Sequence, residues 1–119
     1  MVPKSLSSLV AEHNILVAIV ADTDDGGVRT VGNRKDLESD DLIVQLFGDA
    51  DAVTALNRSL EGQVLPRTWS QGKVSCVVCK PDENRIVGLL YHETRSAAEQ
   101  YAWSKRVNED VRALFDATT

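Results

Sequence analysis

The sequence predicts one α+β domain, a three-layer α/β/α sandwich in which a five-stranded antiparallel sheet lies between helices. The first observation is the order of periodicities, which alternate between helical and strand patterns as α-β-β-α-β-β-β-α. The second is that three of the five strand segments are apolar at both residue parities, as strands covered on both faces are. The third is length: residues 1–119 are enough for one hydrophobic core and too few for two.

The first part of the chain predicts a short helix followed by a hairpin. Three apolar residues have helical spacing over residues 4–13, which follow a proline. Residues 15–21 are continuously apolar and end at residues 22–27, whose Asp-Gly and Gly-Gly steps allow the positive φ angles of a hairpin turn. Residues 28–31 are therefore predicted as the returning strand.

A single long helix is predicted in the middle of the chain. Apolar residues keep the helical period over residues 39–61. Ser39 is a suitable N-cap, and the two aspartates that follow it favour the first turn of a helix. Gly48 lies inside the segment and is expected to bend the helix only slightly.

The last part of the chain predicts a three-stranded meander and a final helix. Residues 64–70 and 73–79 are strand-like and are joined by a Gln-Gly step, and a Pro-Asp-Glu-Asn turn leads to a third strand at residues 85–91. Helical periodicity then extends over residues 94–115, with Thr94 as the predicted cap. The apolar stripe of this helix comprises Ala97, Ala98, Tyr101, Val107, Val111, Leu114 and Phe115.

The composition of each strand predicts its place in the sheet. The three strands that are apolar on both faces are expected at the centre. The strands at residues 28–31 and 64–70 alternate or carry charge, and Pro66 cannot donate a backbone hydrogen bond. Both are therefore predicted at the edges.

Composition and charge exclude several classes of function. Apolar residues make up 43% of the chain and charged residues 26%, which is typical of a domain that folds without help. The net charge of −5 and the sequence pI of about 4.9 argue against nucleic acid as a partner, because the overall field repels phosphate.

No run approaches the roughly 20 apolar residues that span a bilayer, and the first residues lack the apolar stretch of a secretory signal. The expected location is the cytoplasm, without membrane insertion.

Cys76 and Cys79 form a Cys-x-x-Cys pair, a spacing found in zinc sites and redox motifs. Here the pair lies in a strand-like segment, where residues three apart point to opposite faces of a sheet. One metal ion could not reach both thiols, and a redox pair normally begins a helix. Two buried structural thiols are therefore favoured over either chemical role.

No catalytic, cofactor or metal site is predicted. Asp22, Asp24 and Asp25 are dense, but they join two strands and lack the twelve-residue spacing of an EF-hand, so a solvated hairpin turn is favoured. The glycines after them precede a strand and no Lys-Ser or Lys-Thr follows, which excludes a P-loop. Neither histidine has a nucleophile and an acid near it in the sequence. An enzyme is accordingly the least favoured class.

Two features indicate a protein partner. Trp69 lies on a predicted edge strand, where a place in the core and a role as the anchor of a partner are equally supported. Trp103 lies beside the apolar stripe of the last helix, for which a place in the core is favoured. The middle helix also has more apolar rows than one sheet face requires, so a shared interface could bury the surplus.

The order of the elements and a short motif in the first hairpin resemble the roadblock/LC7 family over nearly the whole chain. The motif comprises the apolar strand Ala18-Ile19-Val20-Ala21-Asp22, the turn glycines Gly26-Gly27 and the pair Val31-Gly32. The resemblance implies a roadblock/LC7 (profilin-like) fold. It also implies a non-enzymatic homodimeric module that acts as a scaffold or regulator of small Ras-like GTPases or motor complexes.

The resemblance places the dimer contacts on the middle helix and the adjoining edge strand. Carried over by position, these contacts fall on Leu42, Leu46, Val53, Leu56, Thr68, Trp69 and Ser70. Pro66 departs from what an unbroken joint sheet needs, so strand pairing is expected to begin after it. If a GTPase is the partner, Arg29, Arg34 and Arg95 are the candidates for an arginine that reaches its nucleotide.

One alternative has a different function on a similar architecture. PAS, GAF and profilin-like sensor or adaptor domains also wrap helices around an antiparallel sheet and place a small-molecule pocket against it. Few polar groups converge in this sequence to hold such a ligand. The identity of the partner, the direction of GTPase regulation and the choice between homodimer and heterodimer stay open at the level of sequence.

Overall fold

The middle layer of the molecule is an antiparallel sheet with the strand order β2-β1-β5-β4-β3. This computed structural model describes residues 5–116. The elements in chain order are α1 (Leu6–Glu12), β1 (Val17–Asp22), β2 (Val28–Gly32), α2 (Asp41–Phe47), α3 (Ala50–Leu60), β3 (Arg67–Gln71), β4 (Val74–Asp82), β5 (Arg85–His92) and α4 (Ala97–Asp116).

The predicted sandwich is confirmed, because each face of the sheet has its own helical cover and its own core. On one face α2 and α3 pack over alternate residues of β1, β4 and β5. On the other face α1 and α4 pack over the intervening residues. We call these the α2–α3 face and the α1–α4 face. The three central strands are buried on both, which explains their apolar character at both parities.

Both edge predictions are confirmed, since β2 and β3 are the outer strands. Pro66 does not interrupt β3, which begins at Arg67 immediately after it. The first helix begins at Leu6, where the Ser5 side chain accepts a hydrogen bond from the Ser8 amide at 3.1 Å. Residue 4, where the predicted helix started, lies outside the described residues.

The prediction of one long middle helix is wrong. The segment divides into α2 and α3, and the break follows from local capping chemistry. Gly48 ends α2, and the Asp49 carboxylate accepts a hydrogen bond from the Ala52 amide at 2.7 Å, which starts a new helix. Asp40 rather than Ser39 occupies the N-cap position of α2.

The start of α4 also differs from the prediction. Ser96, not Thr94, is the cap: its hydroxyl accepts from the Glu99 amide at 3.2 Å, and the Glu99 carboxylate accepts from the Ser96 amide at 3.3 Å. This Ser-x-x-Glu capping box is visible in the sequence and places the first helical residue at Ala97.

The buried stripe of α4 is narrower and rotated relative to the predicted one. Trp103, Val107, Val111 and Phe115 are buried, whereas Ala97, Ala98 and Tyr101 are exposed. Trp103 therefore belongs to the core, as favoured from the sequence. Its ring is in edge contact with Tyr91, and Arg95 stacks on it with 3.9 Å between the guanidinium carbon and the ring centroid.

Candidate partner-binding surface

The four helix residues predicted to contact a partner are buried in the monomer. Leu42, Leu46, Val53 and Leu56 are 3%, 6%, 1% and 4% exposed and belong to the core of the α2–α3 face. Ile43 and Phe47 are buried beside them, so both apolar rows of α2 are used inside the domain. This corrects the expectation that one row is left over for a partner.

The outward side of α2 offers a different apolar contact. Val44 is 56% exposed, although Ile43 before it and Leu46 two residues after it are buried. Gln45 beside it is exposed as well. At the helix start Arg34 and Asp40 form an exposed ion pair at 2.9 Å, which takes Arg34 out of the set of free arginines. Val44 is therefore the exposed apolar residue of this helix that a partner could cover.

The predicted strand residues do lie on an outer strand, but they point to both sides of it. Trp69 pairs with Cys76 of β4 and faces the α2–α3 face, where it is half-buried against the core. Thr68 and Ser70 point to the α1–α4 face and are exposed. The outer edge of β3 is unpaired within residues 5–116, which leaves its backbone groups available to another strand.

A further apolar feature adjoins β3, and the sequence did not reveal it. A shallow groove of about 220 Å³ lies between β3 and α4 on the α1–α4 face, with Pro66 and Thr68 in one wall and Tyr101 in the other. Val64 at its rim is 88% exposed and Tyr101 is 62% exposed. The sequence places Val64 at the start of an edge strand and Tyr101 in the apolar stripe of the last helix, and periodicity alone does not show that Tyr101 points outward.

The cysteine pair has the predicted structural role. Cys76 contributes to the core of the α2–α3 face and Cys79 to that of the α1–α4 face, so the sheet separates the two thiols. Both are fully buried and free. Burial raises the pKa of the Cys76 thiol to about 12 and raises the pKa of Cys79 as well. Nucleophilic or redox chemistry is thereby suppressed.

We expect both thiols to be unreactive in the native protein at pH 8, because the raised pKa values leave almost no thiolate and burial blocks access. Mass spectrometry after iodoacetamide treatment should detect no adduct in buffer and two adducts in denaturant. Rapid single labelling of the native protein would contradict the structural assignment of these thiols.

The acidic hairpin has its carboxylates turned to its own backbone. Asp22 accepts from the Asp24 amide at 2.8 Å and Asp25 from the Gly27 amide at 2.7 Å, as in a solvated turn. Gly26 has φ +73° and lies so close to Ala50 that a Cβ would be 2.6 Å from the Ala50 Cβ. The hairpin thus rests on the start of α3, and glycine is required there.

Residues 5–116 contain neither a metal-binding cluster nor a helix suited to crossing a membrane. No group of three or more His, Cys, Asp and Glu side chains in this range is arranged to hold a metal ion. None of the helices in the same range combines the length and the apolar character needed to cross a bilayer.

Comparison with known proteins identifies the fold. No family model matches the chain, and no curated protein matches it. Among solved structures, Myxococcus xanthus MglB matches with a TM-score of 0.57 and 14% identity over 93% of this chain and 84% of that one. The gliding protein MglB from Thermus thermophilus matches with a TM-score of 0.56 and 20% identity over 92% and 84%. A structure described as MglB with tetrameric arrangement matches with a TM-score of 0.58 and 18% identity over 96% and 87%.

These matches cover nearly all of the sheet and its helices, in agreement with the resemblance seen in the first hairpin. At such low identity they establish the architecture. The chain has the fold of a roadblock/LC7-like domain.

Proposed function

We propose that this domain is a non-enzymatic homodimeric module of the cytoplasm that regulates a small GTPase or holds a motor complex together. The observation that carries the proposal is the open edge of β3, which presents Thr68, Trp69 and Ser70 beside α2. The family resemblance supports the class of partner. The fold shared with MglB supports it further, and one of the MglB structures is described as tetrameric.

The sequence of β3 suits pairing with a second copy of itself. In a two-fold antiparallel arrangement centred on Trp69, each Trp69 lies opposite its counterpart, Thr68 lies opposite Ser70, and Arg67 lies opposite Gln71. Aromatic pairs and threonine–serine pairs are favourable across strands, and no like charges meet directly. The joint sheet would be continuous from Arg67, because Pro66 precedes the paired segment.

Such pairing would also bring the two α2 helices together. The two-fold axis stands perpendicular to the sheet, so the α2–α3 faces of both copies lie on the same side. Because α2 packs against β3, each α2 would lie near the joint and could cover Val44 of the other copy. The proposed interface therefore consists of the β3 edge and the outward side of α2, while Leu42, Leu46, Val53 and Leu56 stay in the core behind it.

The self-association proposal is tested by placing a lysine on each outer strand in turn. Thr68→Lys puts a charge in the middle of the proposed joint, and lysine is a residue that natural edge strands use to prevent pairing. Light scattering on a sizing column should show a wild-type dimer and a folded Thr68→Lys monomer. Thr30→Lys makes the same change on the exposed edge of β2 and should remain dimeric.

A wild-type monomer at all concentrations would overturn the homodimer. Equal loss of dimer in both variants would show that the association depends on net charge and not on the β3 edge. If the mass pattern is as expected, the GTPase role is tested with purified small GTPases, by comparing nucleotide hydrolysis and exchange with the dimer and with the Thr68→Lys monomer. No change in either rate for any GTPase would remove the regulatory part of the proposal.

A further inference from the structure

The other outer strand, β2, adjoins an apolar groove that the proposed dimer does not use. This groove of about 280 Å³ lies on the α1–α4 face, between the start of α1 and the end of α4. Its walls include Leu6, Val31 and Leu114, which are only partly buried, and the ring of Phe115. We call it the β2 groove.

Among residues 5–116, the charged side chains that line the β2 groove are those of two arginines, Arg29 and Arg85. Arg85 lies above the ring of Phe115, with 4.9 Å between the guanidinium carbon and the ring centroid, and its Nε donates to Asp82 at 3.0 Å. Arg29 is exposed, and the part of the chain that the structure describes gives it no ion-pair partner. Arg85 is neutralised by Asp82, and Asp22, Asp24 and Asp25 lie in a neighbouring cavity that both arginines also line. Arg29 is therefore the cation at the apolar groove that is available to a partner, and it favours a group that is apolar and carries one negative charge.

The strand register connects the groove to the outer edge of β2, along which no strand of residues 5–116 pairs. Arg29 pairs with Val20 of β1 and Val31 pairs with Ala18, so both side chains point to the α1–α4 face. A strand added along the outer edge of β2 would place two of its alternate side chains opposite Arg29 and Val31. Cross-strand pairing favours an acidic residue at the first position and an apolar residue at the second.

The open shape of the groove favours an anchor side chain over an enclosed small molecule. Its volume of about 280 Å³ is at the lower end of the range of about 300–1,000 Å³ that is usual for pockets that enclose drug-sized ligands, and it is open to solvent. An apolar side chain of a protein partner can enter it.

A second copy of this chain does not supply the matching strand. The outer strands have the sequences Val-Arg-Thr-Val-Gly and Arg-Thr-Trp-Ser-Gln, which contain no carboxylate. A charged residue on an edge often serves only to prevent such pairing. Here the arginine is accompanied by an apolar groove on the same face, which a purely protective charge would not require.

We propose that the edge of β2 and the β2 groove bind an extended segment of a partner protein that carries a carboxylate and an apolar side chain on the same face. Backbone hydrogen bonds from β2 would provide strand pairing, and Arg29 and the groove would select the sequence. The inference is independent of self-association, because β2 and β3 lie at opposite ends of the sheet.

The test uses a fluorescein-labelled, threonine-rich peptide with one glutamate and, two positions away, one leucine. A control peptide has lysine in place of the glutamate. Fluorescence anisotropy with the wild-type protein should show at least tenfold tighter binding of the glutamate peptide. Arg29→Glu should reverse that preference, because the charge opposite the variable position is exchanged. Arg106→Glu, the same change on an exposed position of α4, should preserve the wild-type preference.

Any of four results would overturn the proposal. Neither peptide binding at millimolar protein would exclude a strand site of useful affinity. Equal weakening by Arg29→Glu and Arg106→Glu would show attraction by net charge only. Amide shifts in NMR spectra at Arg67–Gln71 instead of Val28–Gly32 would place the peptide on the other edge. Sodium decanoate is measured in parallel, and decanoate binding as tight as the peptide would reassign the groove to small amphipathic carboxylates.

Discussion

The Leu46→Glu substitution is expected to unfold the domain rather than to release a folded monomer. Leu46 is 6% exposed and lies in the core of the α2–α3 face. The change loses about 1.5–3 kcal/mol of apolar burial and places a carboxylate where no partner can neutralise it, at a further cost of several kcal/mol. Domains of this kind have a total stability of about 5–15 kcal/mol. Far-UV circular dichroism should show loss of the folded signal at room temperature.

Val44→Glu is the matched control, since it makes a similar change two residues earlier on the same helix. Val44 is 56% exposed in the single chain, so in the Thr68→Lys background, which removes the proposed partner copy, the carboxylate remains in water and the free energy of unfolding should change by no more than about 0.5 kcal/mol. Urea unfolding followed by circular dichroism measures both variants. A folded Leu46→Glu protein with wild-type stability would show that α2 does not lie on the sheet as described.

The contrast between Leu46 and Val44 shows where sequence reasoning about this surface ends. Apolar periodicity correctly indicated a helix whose face is buried, but it could not distinguish burial against the domain's own sheet from burial against a partner. The surplus row is covered because α2 stops at Phe47 and a separate helix, α3, begins at Ala50 after the extended residue Asp49, so each short helix presents its own apolar face. The helix break depends on one capping bond, which a periodicity count does not register.

The sheet was easier to predict than the surface. A strand that is apolar at both parities must be covered on both faces, and this rule placed β1, β4 and β5 at the centre without knowledge of the pairing. The alternation of side chains likewise separated Cys76 from Cys79 before their positions were known. Thr68 and Ser70 were placed on an edge because their strand alternates and carries charge. Alternation along the strand puts Thr68 and Ser70 on the face opposite to Trp69. Which helical layer covers that face depends on the β3–β4 register, which composition does not reveal.

Gly88→Ala is expected to destabilise the domain by about 1–3 kcal/mol, the usual cost of adding a carbon to a filled core. Gly88 lies at the centre of the sheet, between Ile19 of β1 and Val78 of β4. A Cβ at this position would be 2.5 Å and 2.6 Å from Cε2 and Cζ of the Phe47 ring, well inside van der Waals contact. The ring is 3% exposed and enclosed by other core side chains, so it has little room to move away. Thermal and urea unfolding should show the loss.

A double-mutant cycle with Phe47→Leu separates this clash from the other effects of adding a methyl group to a strand. Shortening the ring removes the two carbons that the new Cβ would meet, so Gly88→Ala should cost at least about 1 kcal/mol less in the Phe47→Leu background. Additive losses would mean that the ring does not determine the cost. Coupling would show that the last turn of α2 is held against the bare backbone of β5, a contact that helps to position α2 on the sheet beside β3. The proposed dimer surface therefore depends on a glycine in the centre of the sheet, far from any partner.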